Sequence, residues 1–123
     1  MVDNEKYGII PDIQFQHLEL IDVQEMINKS TKEWQNYTLC EVNESVVRLG
    51  VIHKEFHWHK HDNEDEFFLV LDGKLLIDLE DETVELSPRQ AFVVPRGIKH
   101  RTRAPVRTSI LMIEKKGIKA TGD

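Results

Sequence analysis

The sequence predicts an all-β fold, a sandwich or barrel built from short antiparallel strands. From Tyr37 onward, apolar and polar residues alternate with a period of two in short runs. Turn-forming residues separate these runs. The clearest pair is Asp72-Gly73, which favours the positive φ angles of a tight hairpin. Only one short segment shows helical periodicity. Many short strands at this spacing are typical of sandwiches and barrels.

The helical segment lies near the start of the chain, at residues 22–29. Asp22 can cap its first turn, and the apolar residues Val23, Met26 and Ile27 recur at helical spacing, so we expect one face to pack on the core. The strands that we expect after it lie near residues 37–42, 45–53, 55–61, 66–72, 74–80, 83–87, 91–95, 100–104 and 107–114.

Length, charge and cysteine content restrict the kind of protein. A chain of 123 residues is the size of one domain, and its formal charge of −6 argues against a general nucleic-acid binder. Cys40 is the single cysteine, which excludes an internal disulfide and a cysteine-rich zinc site. No apolar run is long enough for a membrane span, and residues 1–16 do not resemble a signal peptide. We therefore expect a soluble, cytoplasmic protein with neither nucleic-acid nor membrane partners.

We divide the chain into three parts. Residues 1–35 form an N-terminal segment, which we expect to exchange a strand with a second copy or to lie at a dimer interface. Residues 36–115 form the barrel, and residues 116–123 form a C-terminal tail. The prediction that follows is a homodimer.

Histidines and acids crowd together at the edge of an apolar strand. Three of the six histidines, His57, His59 and His61, alternate along the chain, so on a strand they would share one face. Glu66 has the parity of the apolar Phe68 on the next strand, which places it inside a barrel. A buried carboxylate is costly unless something compensates it. A metal ion would do so.

The spacing of these residues resembles the first motif of the cupin superfamily. His59 and His61 are separated by one residue, Glu66 follows after four more, and Gly73 follows Glu66 after another six. The resemblance extends over residues 44–114. Because several residues match at once, the pattern is more specific than any one histidine.

A second stretch resembles the second motif of the same superfamily. Pro95, Gly97 and His100 have the spacing PxGxxH. That motif normally opens with a glycine six residues before the proline, often followed by Asp, and this chain has Arg89 and Gln90 there. The sequence leaves the conformation of this turn open.

The resemblance implies a jelly-roll barrel, the double-stranded β-helix, that encloses one divalent metal ion. By motif match, the ligands would be His59, His61, Glu66 and His100. Three imidazoles and one carboxylate leave coordination positions open for a ligand, and Fe, Mn, Ni or Zn accepts such a set. We expect His57, one step further along, to stand off from the ion.

Two kinds of function remain open from the sequence. The ligand set with open positions favours a metal-dependent enzyme of isomerase, lyase or dioxygenase type acting on a small oxygen-rich metabolite. The lack of a convincing acid–base residue beyond the ligands favours a non-enzymatic module that binds or senses a small ligand, with a structural metal. Arg48 is equally open: it could point inward toward an anionic group or lie on the surface.

Overall fold

The computed structural model describes residues 7–119, 121 and 122. Residues 1–6 of the expected N-terminal segment, and residues 120 and 123 of the tail, lie outside the described residues. Within the described part, the chain forms one α-helix and eight strands: β1 Ile9–Ile13, α1 Val23–Asn28, β2 Trp34–Val42, β3 Ser45–Glu55, β4 Glu66–Asp72, β5 Leu75–Asp78, β6 Thr83–Leu86, β7 Ala91–Val94 and β8 Arg101–Lys115.

The strands form one curled sheet organised around β8. They are hydrogen-bonded in the order β1-β2-β3-β8-β4-β7, and β5 pairs with both β6 and β8. Strand β8 therefore borders β3, β4 and β5, all antiparallel to it. Strand β1 runs parallel to β2 of the same chain. The predicted all-β barrel with one short helix is confirmed, and no helix in the described part has the length and apolarity needed to cross a bilayer.

Two local predictions are also confirmed. Asp22 caps α1, since its Oδ1 accepts a hydrogen bond from the Glu25 amide at 3.0 Å, and Met26 is buried beneath the helix. The hairpin between β4 and β5 turns at Asp72-Gly73, where Gly73 has a φ of 90°. Glycine adopts that angle without the steric cost that a Cβ would add.

The structure corrects the predicted strand at residues 55–61. Strand β3 ends at Glu55, and beyond it only an isolated bridge joins His59 to His100. The register between β3 and β8 shifts between Ile52 and Lys54, and Lys54 has a φ of 73°, so the ladder is already distorted there. The histidines consequently lie on an irregular segment that crosses the barrel mouth.

Two further corrections concern the ends of the chain. The strands predicted at 100–104 and 107–114 are one strand, β8, which passes through Pro105 where its pairing with β3 is interrupted. A proline is tolerated at such a bulge because it donates no ladder hydrogen bond there. Strand β1 was not predicted, since Ile9–Ile13 is interrupted by Pro11 and Asp12 and is recruited by pairing with β2.

The sheet has apolar residues on both faces. On the barrel interior, Phe68 and Val70 of β4 belong to the main cluster with Ile52 and Ile110, as parity predicts. The opposite face carries a second cluster under α1, formed by Met26, Tyr37, Leu39, Leu49 and Val51. Burying both faces fixes the register of the strands, because a one-residue slip would exchange the two faces.

Arg89 adopts the backbone conformation for which its motif position usually carries glycine. Its φ is 73°, and its amide donates to the Val70 carbonyl at 2.8 Å. The Gln90 carbonyl in turn accepts a hydrogen bond from the Val70 amide at 3.1 Å. The turn is therefore formed, at the steric cost that a left-handed conformation imposes on a residue with a Cβ.

Candidate metal centre

Two of the expected ligands face each other across the mouth of the barrel. His59 and His100 exchange both backbone hydrogen bonds, each 2.9 Å long, and their ring centroids lie 4.4 Å apart. The nearest oxygen of Glu66 lies 3.2 Å from His100 Nε2. One ligand atom from each of these three residues falls within 4.8 Å of the others. The structure thus brings together residues that are separated by up to 41 positions in the sequence, as positions 59 and 100 show.

His61 approaches the same carboxylate from another side. Its Nε2 lies 3.6 Å from Glu66 Oε1, and both side chains are buried. The Gly97 amide donates to the His61 carbonyl at 2.8 Å, which ties the PxGxxH turn to the segment carrying the histidines. His61 belongs to a second group of ligand atoms within 4.8 Å of one another, with Glu66 and Glu114. Glu66 is common to both groups.

Backbone carbonyls set the orientation of two imidazoles. His59 Nδ1 lies 3.1 Å from the His57 carbonyl, and His100 Nδ1 lies 2.9 Å from the Ile98 carbonyl. Because a carbonyl oxygen only accepts, each Nδ1 must carry the hydrogen, which leaves Nε2 with its lone pair. This arrangement is the usual way a protein presents a histidine to a metal.

Burial shifts the protonation of the site in two directions. It lowers the pKa of His59 to about 3, helped by the neighbouring His100, and it lowers the pKa of His100. Burial also raises the pKa of Glu66 to about 7, although Glu114 and Arg48 oppose this rise. The pKa of Glu114 rises well above its usual value, through burial and then the charge of Glu66. The imidazoles are therefore neutral at pH 7, which is the form that binds a metal.

Two contacts of Glu66 Oε1 have lengths near those expected between two ligands of one ion, although His61 belongs to a different group of ligand atoms from His59 and His100. Two ligand atoms that are each about 2.1 Å from a metal and subtend 90–110° lie roughly 3.0–3.4 Å apart. The contacts of Glu66 Oε1 with His100 and His61, at 3.2 and 3.6 Å, are close to that range. Neutral imidazoles beside a carboxylate are the donors that divalent transition metals prefer.

His57 is engaged elsewhere. Its Nε2 lies 2.7 Å from the carbonyl of Thr121 in the C-terminal tail, and it belongs to neither group of ligand atoms formed by the described residues. The tail also packs on His59, because a Cβ on Gly122 would lie 2.6 Å from the His59 Cβ. His57 therefore touches the site through its own carbonyl, which orients His59. That His57 does not bind the ion remains a prediction.

Comparison with known proteins identifies the family. The family model described as the cupin domain matches residues 45–114, more than half of the chain. The chain belongs to the cupin family. This cupin is 43% identical over 90 residues to the uncharacterized protein YdbB of Bacillus subtilis (strain 168), an alignment that covers 72% of this chain and 80% of YdbB.

Solved structures show the same fold. A cupin-2 domain containing protein from Shewanella frigidimarina NCIMB 400 matches with a TM-score of 0.75 and 28% identity, covering 79% of this cupin and 95% of that chain. Protein NMB1881 from Neisseria meningitidis matches with a TM-score of 0.71 and 21% identity, covering 80% and 100% of the two chains.

A small cavity opens beside the candidate ligands of this cupin. Its volume is about 30 Å³, room for roughly two water molecules. His59, Glu66 and Glu114 supply the charged or polar groups nearest the site. Most of the other lining residues are apolar or aromatic, and they are Trp34, Ile52, Phe56, Phe68, Ile110 and Met112.

Sequence reasoning missed Glu114 and left Arg48 open. Both are buried, and Arg48 Nε lies 2.5 Å from Glu114 Oε1, so Arg48 points into the barrel. Glu114 has the inward parity of Ile110 and Met112 on β8, and that parity was a usable signal. The charged residues that follow it, Lys115 and Lys116, make the same stretch resemble an exposed strand end.

Proposed function

We propose that this cupin holds one divalent metal ion through His59, His61, Glu66 and His100, and binds a small oxygen-rich metabolite there. The proposal includes an activity of isomerase, lyase or dioxygenase type, with Fe, Mn, Ni or Zn as the ion. The observation that carries it is the convergence of imidazoles on the buried Glu66, whose nearest oxygen lies 3.2 Å from His100 and 3.6 Å from His61.

When bound, such an ion would supply Lewis-acid or redox chemistry to an oxygen-rich ligand. The chain's own residues prepare the place for it. The His57 and Ile98 carbonyls orient two imidazoles, and the Nε2 atom of His100 faces Glu66 Oε1 at 3.2 Å. Trp34, Phe56 and Phe68 line the cavity and limit access of bulk water, and a dry environment strengthens every electrostatic contact with a ligand.

The experiment begins with metal-depleted protein, prepared without a nickel resin and titrated calorimetrically with Mn, Fe(II), Ni and Zn ions. We expect one ion per chain for the wild type and at least a hundredfold weaker binding for Glu66→Gln. Glu85→Gln is the matched control, because Glu85 lies on the exposed edge strand β6 and pairs with Lys74. Wild-type protein that takes up none of these ions would refute the proposal.

The non-enzymatic alternative has one observation in its favour. A cavity of about 30 Å³ holds roughly two water molecules, which suits a structural metal with its bound water better than a substrate lying beside the metal. Thermal melting against a panel of hydroxy acids, sugars and diols, with and without the ion, would identify the ligand. Incubation of the best ligand with loaded protein then separates the alternatives, since a sensing module returns it unchanged.

We also propose a homodimer that uses the N-terminal segment. Leu18 and Leu20 in the loop before α1 are almost entirely exposed, and exposed leucines in one loop are a common mark of an interface. Deleting residues 1–35 would remove α1 and uncover the cluster beneath it, so point variants are the better test. Leu18→Ser with Leu20→Ser should sediment as a monomer with an unchanged circular-dichroism spectrum, and an unchanged dimer would contradict the proposal.

A further inference from the structure

The barrel interior contains a second carboxylate that the metal motif does not include. Glu114 lies on β8 directly opposite Glu66 on β4, and both side chains point inward. A carboxylate oxygen of Glu114 lies within 4.8 Å of a ring nitrogen of His61 and of a carboxylate oxygen of Glu66. Building on the proposed function, we propose that Glu114 is an additional ligand of the same ion.

The two oxygens of Glu114 are used differently. Arg48 holds Oε1 at 2.5 Å, which fixes the carboxylate in one orientation. Oε2 is buried and receives no hydrogen bond from a nitrogen or hydroxyl group of the described part of the chain, and the side-chain neighbour with which the Glu114 carboxyl can hydrogen-bond is the Glu66 carboxyl. Glu114 also lines the cavity beside His59 and Glu66. Two buried carboxyl groups side by side are costly to ionise, and an ion in this cavity would satisfy both.

Charge leads to the same assignment. Glu66 and Glu114 are adjacent on neighbouring strands, and one cation, Arg48, faces the pair. Like charges directly opposite each other on a sheet are destabilising. Arg48 and Glu114 alone would form a neutral ion pair. Glu66 therefore adds a negative charge that Arg48 does not balance. A divalent ion between the two carboxylates converts their repulsion into shared attraction.

The assignment has a chemical consequence. Three imidazoles with two carboxylates make five protein ligands, which leaves about one open position of an octahedron. A metabolite would then reach the ion through a single oxygen. The second carboxylate also makes the donor set harder. A harder set favours Mn(II) and Fe(II) more than a softer set does.

The test measures metal binding in the absence of any substrate. Metal-depleted wild type, Glu114→Gln and the control Glu85→Gln are titrated with Mn(II) against a chromophoric chelator. Water-proton relaxation of the loaded proteins then counts the water molecules bound to the ion. We expect Glu114→Gln to bind Mn(II) at least tenfold more weakly and to gain inner-sphere water. A residue acting only through Arg48 would not change the water count.

A double variant guards against misfolding. Replacing a buried ion pair by apolar residues of similar size is often tolerated, so Arg48→Met with Glu114→Leu should fold and still gain inner-sphere water. Wild-type affinity and wild-type water count in both Glu114 variants would overturn the inference and leave the proposed function intact. A wild type that binds no ion would refute the proposed function, and this inference with it.

Discussion

The barrel of this cupin contains two buried carboxylate clusters that are built in opposite ways. In its wall, Asp78 accepts hydrogen bonds from Thr83, from Arg101 Nε at 2.7 Å, and from Arg103 Nε and Nη2 at 2.6 and 2.8 Å. These partners hold the pKa of Asp78 well below its usual range, with Arg103 the largest cause. In the interior, Glu66 and Glu114 share one arginine, and burial raises the pKa of both.

The difference distinguishes a cluster that stabilises the fold from one that could bind a cation. Two arginines and a hydroxyl satisfy Asp78 completely, so that cluster ties β5 to β8 and has nothing left to offer a ligand. The interior pair lacks such compensation, and its uncompensated charge is what a divalent cation could satisfy. Strongly perturbed carboxylates that lie in a cavity are candidates for function for this reason.

The largest expected effect on folding comes from breaking the wall cluster. Asp78→Asn leaves two arginines without their acceptor, and we expect it to lower the free energy of unfolding by about 2–3 kcal/mol, less than a fully buried pair because the arginines are partly exposed. Urea denaturation of metal-free protein measures this. Metal affinity should stay within twofold of wild type, and a large loss of affinity would show that the wall cluster also serves the site.

Replacing an interior carboxylate by its amide should raise the free energy of unfolding of the metal-free protein rather than lower it. Glu66→Gln removes an uncompensated charge and leaves the Arg48–Glu114 pair in place. We expect metal-free Glu66→Gln to be more stable than wild type by about 1 kcal/mol at pH 8, because the like-charge repulsion is relieved. A destabilised variant would mean that Glu66 supports the fold rather than the ion.

The stability of the metal-free protein should depend on pH differently for the two carboxylate clusters. The pKa of Glu66 rises from 4.5 to about 7 on folding, so its protonated form stabilises the fold and that stability is lost as pH rises toward and through 7. The pKa of His59 falls from 6.5 to about 3, which opposes this trend, but only below pH 6.5. Glu114, whose pKa is also raised well above its usual value, acts in the same direction as Glu66. We therefore expect stability to fall by at least about 1 kcal/mol between pH 6.5 and 8.

Thermal melts across that range provide the measurement. Glu66→Gln should reduce the loss of stability above pH 6.5, with Glu114 responsible for what remains, whereas Asp78→Asn should leave the profile unchanged, because the lowered pKa of Asp78 places its titration at acidic pH. A wild-type profile that stays level between pH 6.5 and 8 would contradict the uncompensated interior pair.

The smallest effect is expected at a turn remote from both clusters. Arg89 has a φ of 73°, a conformation that costs a residue with a Cβ roughly 1–2 kcal/mol. Glycine relieves this strain but is more flexible in the unfolded chain, so Arg89→Gly should stabilise the protein by about 0.5–1 kcal/mol. Metal affinity should not change. Destabilisation would show that the Arg89 side chain makes a contact that offsets the strain.

Local signals in the sequence predicted the features they determine. Asp22 and the spacing of Val23 and Met26 were enough for α1, and Asp72-Gly73 was enough for the hairpin between β4 and β5. The ligand candidates followed from short spacings and parity, together with the resemblance to cupins. The structure places His59, Glu66 and His100 in one group of ligand atoms and His61 with Glu66 in a second, and the segment carrying His59 is not the regular strand that parity assumed.

The missed features depend on pairing between distant segments. Arg48 meets Glu114 because β3 pairs with β8, and Asp78 meets Arg101 and Arg103 because β5 pairs with the same strand. Strand β1 forms by pairing with β2. Periodicity reports which face a residue takes, but it carries no information on which strands become neighbours.

The central claim is that His59, His61, Glu66 and His100 hold the ion while His57 does not. The most direct test is the metal stoichiometry of wild type, His57→Ala, His61→Ala and His100→Ala, each reconstituted under identical conditions. His61→Ala and His100→Ala should lose most of the metal. His57→Ala should keep most of it, because His57 Nε2 is hydrogen-bonded to the Thr121 carbonyl, and the backbone carbonyl that orients His59 remains in the variant, although the ring contact between the two imidazoles is lost. If His57→Ala empties the site and His61→Ala does not, the assignment of ligands is wrong.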